Sequence, residues 1–166
     1  MTVAGAVRLL TYEDLPTLLA WRNHSDVRTF MLTQHEISLE EHHRWFSTAS
    51  QDSTRRLLIV EVAQDPIGFV QLSNVGPGGI ADWGFYARPN AAKGSGRKIG
   101  VAALNYAFHD LGLHKVCGQA IKQNAASISF HKRLGFQQEG VLRDHVRIEG
   151  VYHTLIVFGM LAIEWQ

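Results

Sequence analysis

Between Pro89 and Leu111 a glycine-rich turn runs into an apolar stretch, and Lys93, Gly94, Ser95, Gly96, Arg97, Lys98 and Ile99 have the types and spacing to hold a phosphate. A helix start leaves its first N–H groups without intrahelical acceptors and carries about +0.5 charge. Glycines at 94 and 96 let main chain approach a ligand, and Lys93, Arg97 and Lys98 add positive charge, so a pyrophosphate is the best-fitting guest. A P-loop would need G-x-x-x-x-G-K-[ST], which the chain lacks. A Rossmann turn would need Gly-x-Gly-x-x-Gly and an acid roughly 20 residues on. Here the third glycine falls late, at Gly100, and the next strand offers Cys117, Gly118 and Gln119 instead. A glycine turn with no ligand stays open as the plainer reading.

Those residues need a strand before them and a helix after them. Ile80 to Ala87 is apolar and aromatic enough for the strand, and Pro89, which cannot donate to a ladder, ends it. The helix is expected from Arg97 onward, with Lys98, Asn105 and His109 on one stripe and Ile99, Ala103, Leu104, Ala107, Phe108 and Leu111 over most of the rest, so that it lies flat on a sheet. Upstream, Val7 to Leu10 reads as a strand. Thr11 with Glu13 and Asp14 opens a helix whose inner edge is Leu15, Leu18, Leu19 and Arg22, and Ser38-Leu39-Glu40-Glu41 is a capping box for a second helix to Ala49. Arg56 to Ala63 and Ile67 to Val75 form two strands about a turn at Gln64-Asp65-Pro66.

Downstream, Lys115 to Ile121 is a strand that a single helical crossover makes parallel to the one before. Asn124 caps a helix from Ala125 to Leu134 that Gly135 ends, and Val141 to Ile148 and Tyr152 to Leu161 make a last hairpin about Glu149-Gly150. The order β, α, α, β, β, β, α, β, α, β, β predicts an α/β fold with a mixed sheet and helices on both faces.

At 166 residues and 46% hydrophobic, the chain suits one globular domain spanning 1–166. Sixteen Lys and Arg against fifteen Asp and Glu leave a net charge of +1. That offers no field for nucleic acid and no polybasic patch for a membrane, so neither is expected as a partner. One cysteine excludes an intrachain disulfide framework, no signal-peptide core opens the sequence, and the longest apolar run, Leu155 to Ile163, is too short for a bilayer; a cytoplasmic location is expected. The histidines include no His-Glu-x-x-His, and His42 and His43 point about 100° apart on a helix, so no metal is expected.

These elements resemble the GNAT superfamily of N-acetyltransferases over nearly the whole chain. In that family an Arg/Gln-x-x-Gly-x-Gly/Ala loop opens a helix and holds the pyrophosphate of acetyl-coenzyme A. Lys93-Gly94-Ser95-Gly96-Arg97-Lys98 stands in its place, with Lys93 for Arg or Gln and Lys98 for the last small residue. Asn124 to Phe136 is similar to the family's Asn-x-x-(Ala/Ser)-x-x-(Leu/Phe)-Tyr-x-x-x-Gly-Phe, with His131 where many members have a tyrosine proposed to protonate the departing thiolate. Trp21-Arg22-Asn23, Val27-Arg28, Met31, Ile37-Ser38, Glu41-His42, Trp45-Phe46 and Asp82 to Pro89 are similar to a narrower branch, which acetylates the 4-amine of a UDP-linked amino-deoxy sugar in pseudaminic acid synthesis.

The resemblance implies a GNAT fold, a mixed central sheet of about seven strands with a splayed parallel strand pair. It implies acetyl-coenzyme A as co-substrate and a small-molecule amine acceptor, a nucleotide-linked amino sugar, and it is compatible with a homodimer. The cofactor-binding residues it implies are Phe85, Tyr86, Ala87, Lys93, Gly94, Ser95, Gly96, Arg97, Lys98, Ile99, Asn124, Ser127 and His131. The pantetheine arm would enter between Ile80 to Arg88 and Lys115 to Lys122, with Gly84 expected as a bulge where the first strand bends away. Backbone N–H groups near Phe85 to Ala87 would polarise the thioester carbonyl, which makes Tyr86, with His131, an expected catalytic residue. Neutral imidazole keeps one N–H donor, and a pKa near 6.5 permits proton transfer around neutrality. His131 as a packing residue is the alternative.

Arg22, Asn23 and Arg28 are expected to hold a diphosphate or sugar hydroxyls, with Met31, Trp45 and Tyr86 against apolar faces of sugar or uracil. Each also has a plainer role as ion pair, core or strand residue. Cys117 reads as buried filler rather than an acyl carrier, and His145 and Asp82 stay open as bases or water ligands. A sugar amine with a pKa near 8 is roughly a tenth neutral at pH 7, whereas a lysine near 10.4 is well below a thousandth, so a weak base suffices for the sugar. Two further readings stand beside this one: an acetyltransferase for protein N-termini (ribosomal-protein type), lysines or aminoglycosides, and a non-catalytic coenzyme A binding sensor or scaffold, motivated by the missing tyrosine at 131.

Overall fold

The computed structural model describes residues 3–166. Strand β1 (Ala6–Leu9) leads through one 3-10 turn (Tyr12–Asp14) into α1 (Leu15–Asn23), the single turn α2 (Ser25–Arg28) and α3 (Leu39–Ala49). Then come β2 (Arg56–Val62), β3 (Asp65–Ser73), β4 (Ile80–Ala87) and α4 (Ser95–Asn105), which widens into a π turn at Tyr106–Asp110. The chain closes with β5 (Lys115–Ile121), α5 (Ala125–Leu134), β6 (Gln137–Ile148) and β7 (Val151–Leu161). The strands form one seven-stranded sheet in the order β1-β2-β3-β4-β5-β7-β6, antiparallel except where β4 meets β5.

Alternate residues along the central strands point to opposite faces of the sheet, and that period of two sets the layers. In β2, Leu57 and Ile59 pack with Leu15, Leu18, Trp21 and Ala49 beneath α1 and α3, whereas Leu58 and Val60 join Ile99, Ala103 and Leu104 beneath α4. Both faces of this half of the sheet are covered. The mixed α/β sheet with helices on both faces is therefore as the sequence predicts, and among the described residues no helix is long and apolar enough to cross a membrane.

Among the local features that differ from the sequence reading, three have a plain physical reason. Helix α4 begins at Ser95 rather than Arg97, because Gly94 takes a left-handed conformation (φ 89°) and becomes the residue that turns the chain into the helix. The β2–β3 turn is Ala63–Gln64, both at positive φ (51° and 66°), so Asp65 and Pro66 already belong to β3. Pro66 is tolerated there because the ladder shifts register between Val60 and Glu61. Finally, β4 has no bulge at Gly84: its pairing with β3 runs unbroken from Ala87 opposite Gly68 to Asp82 opposite Ser73. The departure is from β5, which β4 meets only from Ile80 opposite Lys115 to Asp82 opposite Cys117.

Candidate active site

The fork between β4 and β5 is where backbone polarity becomes available. Arg88 N–H donates to the Ile67 carbonyl at 2.8 Å. In an unbroken antiparallel ladder that parity alternates, so Tyr86, Gly84 and Asp82 turn their N–H and C=O groups to β3, and Trp83, Phe85 and Ala87 turn theirs to the opposite edge. Beyond Asp82 that edge has lost β5. The same parity, set by Lys122 N–H donating to the Thr154 carbonyl at 2.9 Å, turns the polar groups of Gln119 and Ile121 away from β7 and toward the fork. The amides of Phe85 and Ala87 are thus positioned to meet an extended ligand. That of Tyr86, expected to share the role, is committed to Phe69 across the ladder.

A cleft of about 970 Å³ runs along this edge, walled by α1 and the α2–α3 loop on one side and by the first turn of α5 on the other. Asn124 caps α5, its Oδ1 accepting the Ser127 N–H at 3.1 Å, and both residues line the cleft. Phe130 lines it too, and a Cβ on Gly96 would stand 3.6 Å from the Phe130 ring, so the α4 start adjoins the α5 end of the cleft. At that start Ser95 N–H is taken by Ala92 O (3.0 Å) and Lys98 N–H by Gly94 O (3.2 Å). Among the described residues neither the Gly96 nor the Arg97 amide meets a carbonyl. Lys93 and Arg97 are exposed and Lys98 half-buried beside them, while the side chain of Ile99, expected among the cofactor residues, is fully buried in the core.

On the acceptor side the structure sorts the expected residues. Arg22, Met31, Trp45 and Tyr86 line the cleft. Asn23 does not: its Nδ2 donates to Ile37 O (2.8 Å) and its Oδ1 accepts from Ile37 N (2.7 Å), so both ends clamp the loop ahead of α3. Arg28 faces Glu36 at 3.9 Å, away from the cleft. Arg22 donates through Nη2 to Thr33 O at 2.6 Å, and its Nη1 is buried with no partner among the described residues. Burial weakens the hold of Arg22 on its proton, opposed by Tyr86 and Glu41 nearby. The Tyr86 ring packs on Phe69 (5.3 Å between centroids), and burial pushes its phenol pKa up, against the pull of Arg22. Tyr86 therefore stays protonated and is an O–H donor. Phe30, Leu32, Ile37, Gln119 and His42 also line this space. No periodicity marks the loop residues among them, since they gain their place only when the loop folds back over the sheet.

His131 sits where the family resemblance puts a proton donor, but its surroundings commit it elsewhere. The side chain is 1% exposed. Trp83 Nε1–H, which can only donate, meets His131 Nε2 at 3.1 Å, so Nδ1 carries the ring proton and donates to Ser127 O at 2.8 Å. Burial, the larger effect, lowers the ring's pKa and the Ser127 carbonyl partly opposes it. A neutral imidazole with both nitrogens engaged has no N–H left for a thiolate, so the acid role expected of His131 does not follow from this arrangement.

The acetyltransferase (GNAT) domain family matches residues 6–137 of the chain. The acetyltransferase PseH of Campylobacter jejuni is 28% identical over 127 residues, covering 76% of this chain and 79% of that protein. A crystal structure of spermidine N-acetyltransferase from Vibrio cholerae in complex with CoA and spermine superposes with a TM-score of 0.88 at 25% identity, covering 96% of both chains. A putative ribosomal N-acetyltransferase of Bacillus subtilis is 35% identical, over 38% of this chain and 34% of its own length.

Proposed function

Since this chain belongs to the GNAT acetyltransferase family, we propose that it moves an acetyl group from acetyl-coenzyme A to the amine of a UDP-linked amino-deoxy sugar. The observation that supports the transfer is the fork: the Phe85 and Ala87 amides lie free along a cleft that adjoins, through Phe130, a helix start with two unclaimed amides. The chain's groups fit the carrier at both ends. The Gly96 and Arg97 amides, with Lys93, Arg97 and Lys98, would hold a pyrophosphate, and the open β4 edge would pair with the pantetheine amides.

Bound there, acetyl-coenzyme A supplies an activated acetyl thioester. The Phe85 or Ala87 amide would donate to the carbonyl oxygen as negative charge grows on it; one such donor commonly contributes about 2.7–4 kcal/mol. Tyr86, protonated and on the acceptor face of β4, would orient the amine or share its O–H with the departing sulfur. The amine must arrive with its lone pair free, which a sugar amine of pKa near 8 meets far more often than an alkylamine near 10.

Arg22 supports the oxygen-rich acceptor. An unpartnered buried N–H costs about 1–3 kcal/mol, and a diphosphate or sugar hydroxyl reaching Arg22 would offset it. Trp45, Phe69 and Phe30 offer flat apolar faces for a base or sugar. A polyamine is the competing acceptor, favoured by the likeness to the spermidine enzyme and by Asp26 and Glu41 in the cleft. Against it, His35 already engages Glu41 at 3.0 Å, and Arg22, Arg88 and Arg133 line the same cleft. Thiol release from acetyl-coenzyme A, measured with a UDP-4-amino-4,6-dideoxy sugar, spermidine and an N-terminal peptide, decides between them. Turnover is expected with the sugar nucleotide, and Arg22→Met should raise its KM about tenfold, equivalent to about 1.4 kcal/mol, with the KM for acetyl-coenzyme A unchanged. Turnover with spermidine or the peptide alone, or with none of the three, overturns the reading.

A further inference from the structure

Gly118 on β5 is the first residue past the last β4–β5 pair, and two rings fill the space its missing side chain leaves. A Cβ there would lie 2.5 Å from His131 Nε2 and 2.6 Å from Trp83 Nε1, the two atoms that share the 3.1 Å hydrogen bond. This bond ties β4 directly to α5 over the top of β5, at the apex of the fork. An aromatic cage surrounds it. The His131 ring stacks on Phe158 (4.7 Å, 6°) and meets Phe136 edge-on at 5.1 Å, while Trp83 stacks on Phe136 at 5.0 Å and tilts against Phe85 at 4.8 Å. The remaining imidazole proton is held by Ser127 O in the first turn of α5.

We propose that Trp83 and His131 act together as a wedge that sets the opening between β4 and β5, making both of them positioning residues for the coenzyme arm rather than donors or acceptors in acetyl transfer. The physical reason lies in the ladder. Parallel strands about 4.8 Å apart leave no room between them for a ligand, so a fork must be held open from outside the sheet. Here the indole of β4 is braced against α5 through one hydrogen bond, and the absence of a side chain at 118 lets the brace sit flush on β5. The bond also links the Phe85 and Ala87 amides, on the strand that Trp83 belongs to, with Ser127 and Asn124 across the cleft. Removing either partner leaves the other's polar atom buried and unpaired, and the two walls of the cleft lose their fixed spacing.

The inference rests on the coenzyme arm lying in the fork, and the test separates the two claims: wild-type protein that fails to bind coenzyme A by calorimetry defeats the acetyl-transfer reading, whereas the variants address the wedge. Trp83→Phe and His131→Phe each keep a ring in the cage. Both should raise the KM for acetyl-coenzyme A by about tenfold or more, with kcat at saturation within about threefold of wild type and the pH profile unmoved. The double variant should cost much less than the two singles combined. Loss of kcat in His131→Phe but not in Trp83→Phe would place His131 in the chemistry and overturn the wedge, as would unchanged KM in both. Should either variant fail to fold, hydrogen exchange at the Trp83 indole N–H of the wild-type protein decides the matter: strong protection is expected, and exchange as fast as an exposed indole rejects the bond and the wedge with it.

Discussion

At the scale of single residues, the departures from expectation share one cause: a polar side chain reads as available until its neighbours are known. Asn23 has the chemistry to bind a sugar, yet both its ends are spent on the Ile37 backbone. His131 has a titratable ring, yet Trp83 and Ser127 fix its tautomer and the apolar cage keeps it neutral. Gly96 is the reverse case, since among the described residues its amide meets no carbonyl, and a Cβ added there would lie at ordinary contact distance, 3.6 Å, from the Phe130 ring. Gly96→Val should therefore leave the melting temperature within a few degrees while the added branches crowd the α4 start. Calorimetry is expected to show at least a tenfold weaker Kd for coenzyme A, about 1.4 kcal/mol. An unchanged Kd would place the pyrophosphate elsewhere.

At the scale of elements, the boundaries follow backbone conformation more closely than composition. Gly94 at φ 89° starts α4 directly on Ser95, which leaves Gly96 and Arg97 in the first helical turn with their amides pointing outward. The β2–β3 hairpin makes a related point with worse residues. Ala63 and Gln64 both sit at positive φ in a two-residue loop, a shape that favours Asn-Gly. Strain of this kind costs non-glycine residues about 1–2 kcal/mol each. The double substitution Ala63→Asn, Gln64→Gly should raise unfolding stability in urea by about 1 kcal/mol without moving kcat, because the hairpin lies outside the cleft lining. A loss of stability would mean that the turn takes another form in solution.

At the scale of the whole molecule, one charged cluster ties the start of the chain to the sheet and sets a pH limit. Arg8 on β1 donates to Asp14 at 2.7 and 2.8 Å and to Glu61 on β2 at 2.6 Å, and Asp14 also accepts the Thr11 N–H at 2.8 Å. The Arg8 guanidinium is the largest cause holding the Asp14 pKa below the usual carboxylate range. A carboxyl depressed in the folded state stabilises it at every pH above the unfolded value near 3.9, and that stabilisation disappears as pH falls through the folded value. Asp14→Asn should cost about 1 kcal/mol in urea unfolding at pH 7, the pair being partly exposed. The gap between variant and wild type should narrow toward pH 3. A gap of equal size at both pH values would trace it to packing instead.

The legible part of this protein lay in short-range pattern. The strand and helix order, the Asn124 cap, the Gly135 stop and the glycine turn all depend on residues within a few positions of one another, where periodicity and φ preference act directly on the chain. Hidden from that pattern were the parity that gives Phe85 and Ala87, not Tyr86, their free amides, the point, just past Asp82, at which the splayed pair implied by the family resemblance parts, and the meeting of Trp83 with His131 across 48 positions of sequence. Each depends on which backbone edge or ring nitrogen finds a partner from a distant element. A linear order of side-chain types cannot assign such partners, because hydrogen-bond directions become definite only once strands are paired and helices are packed on them.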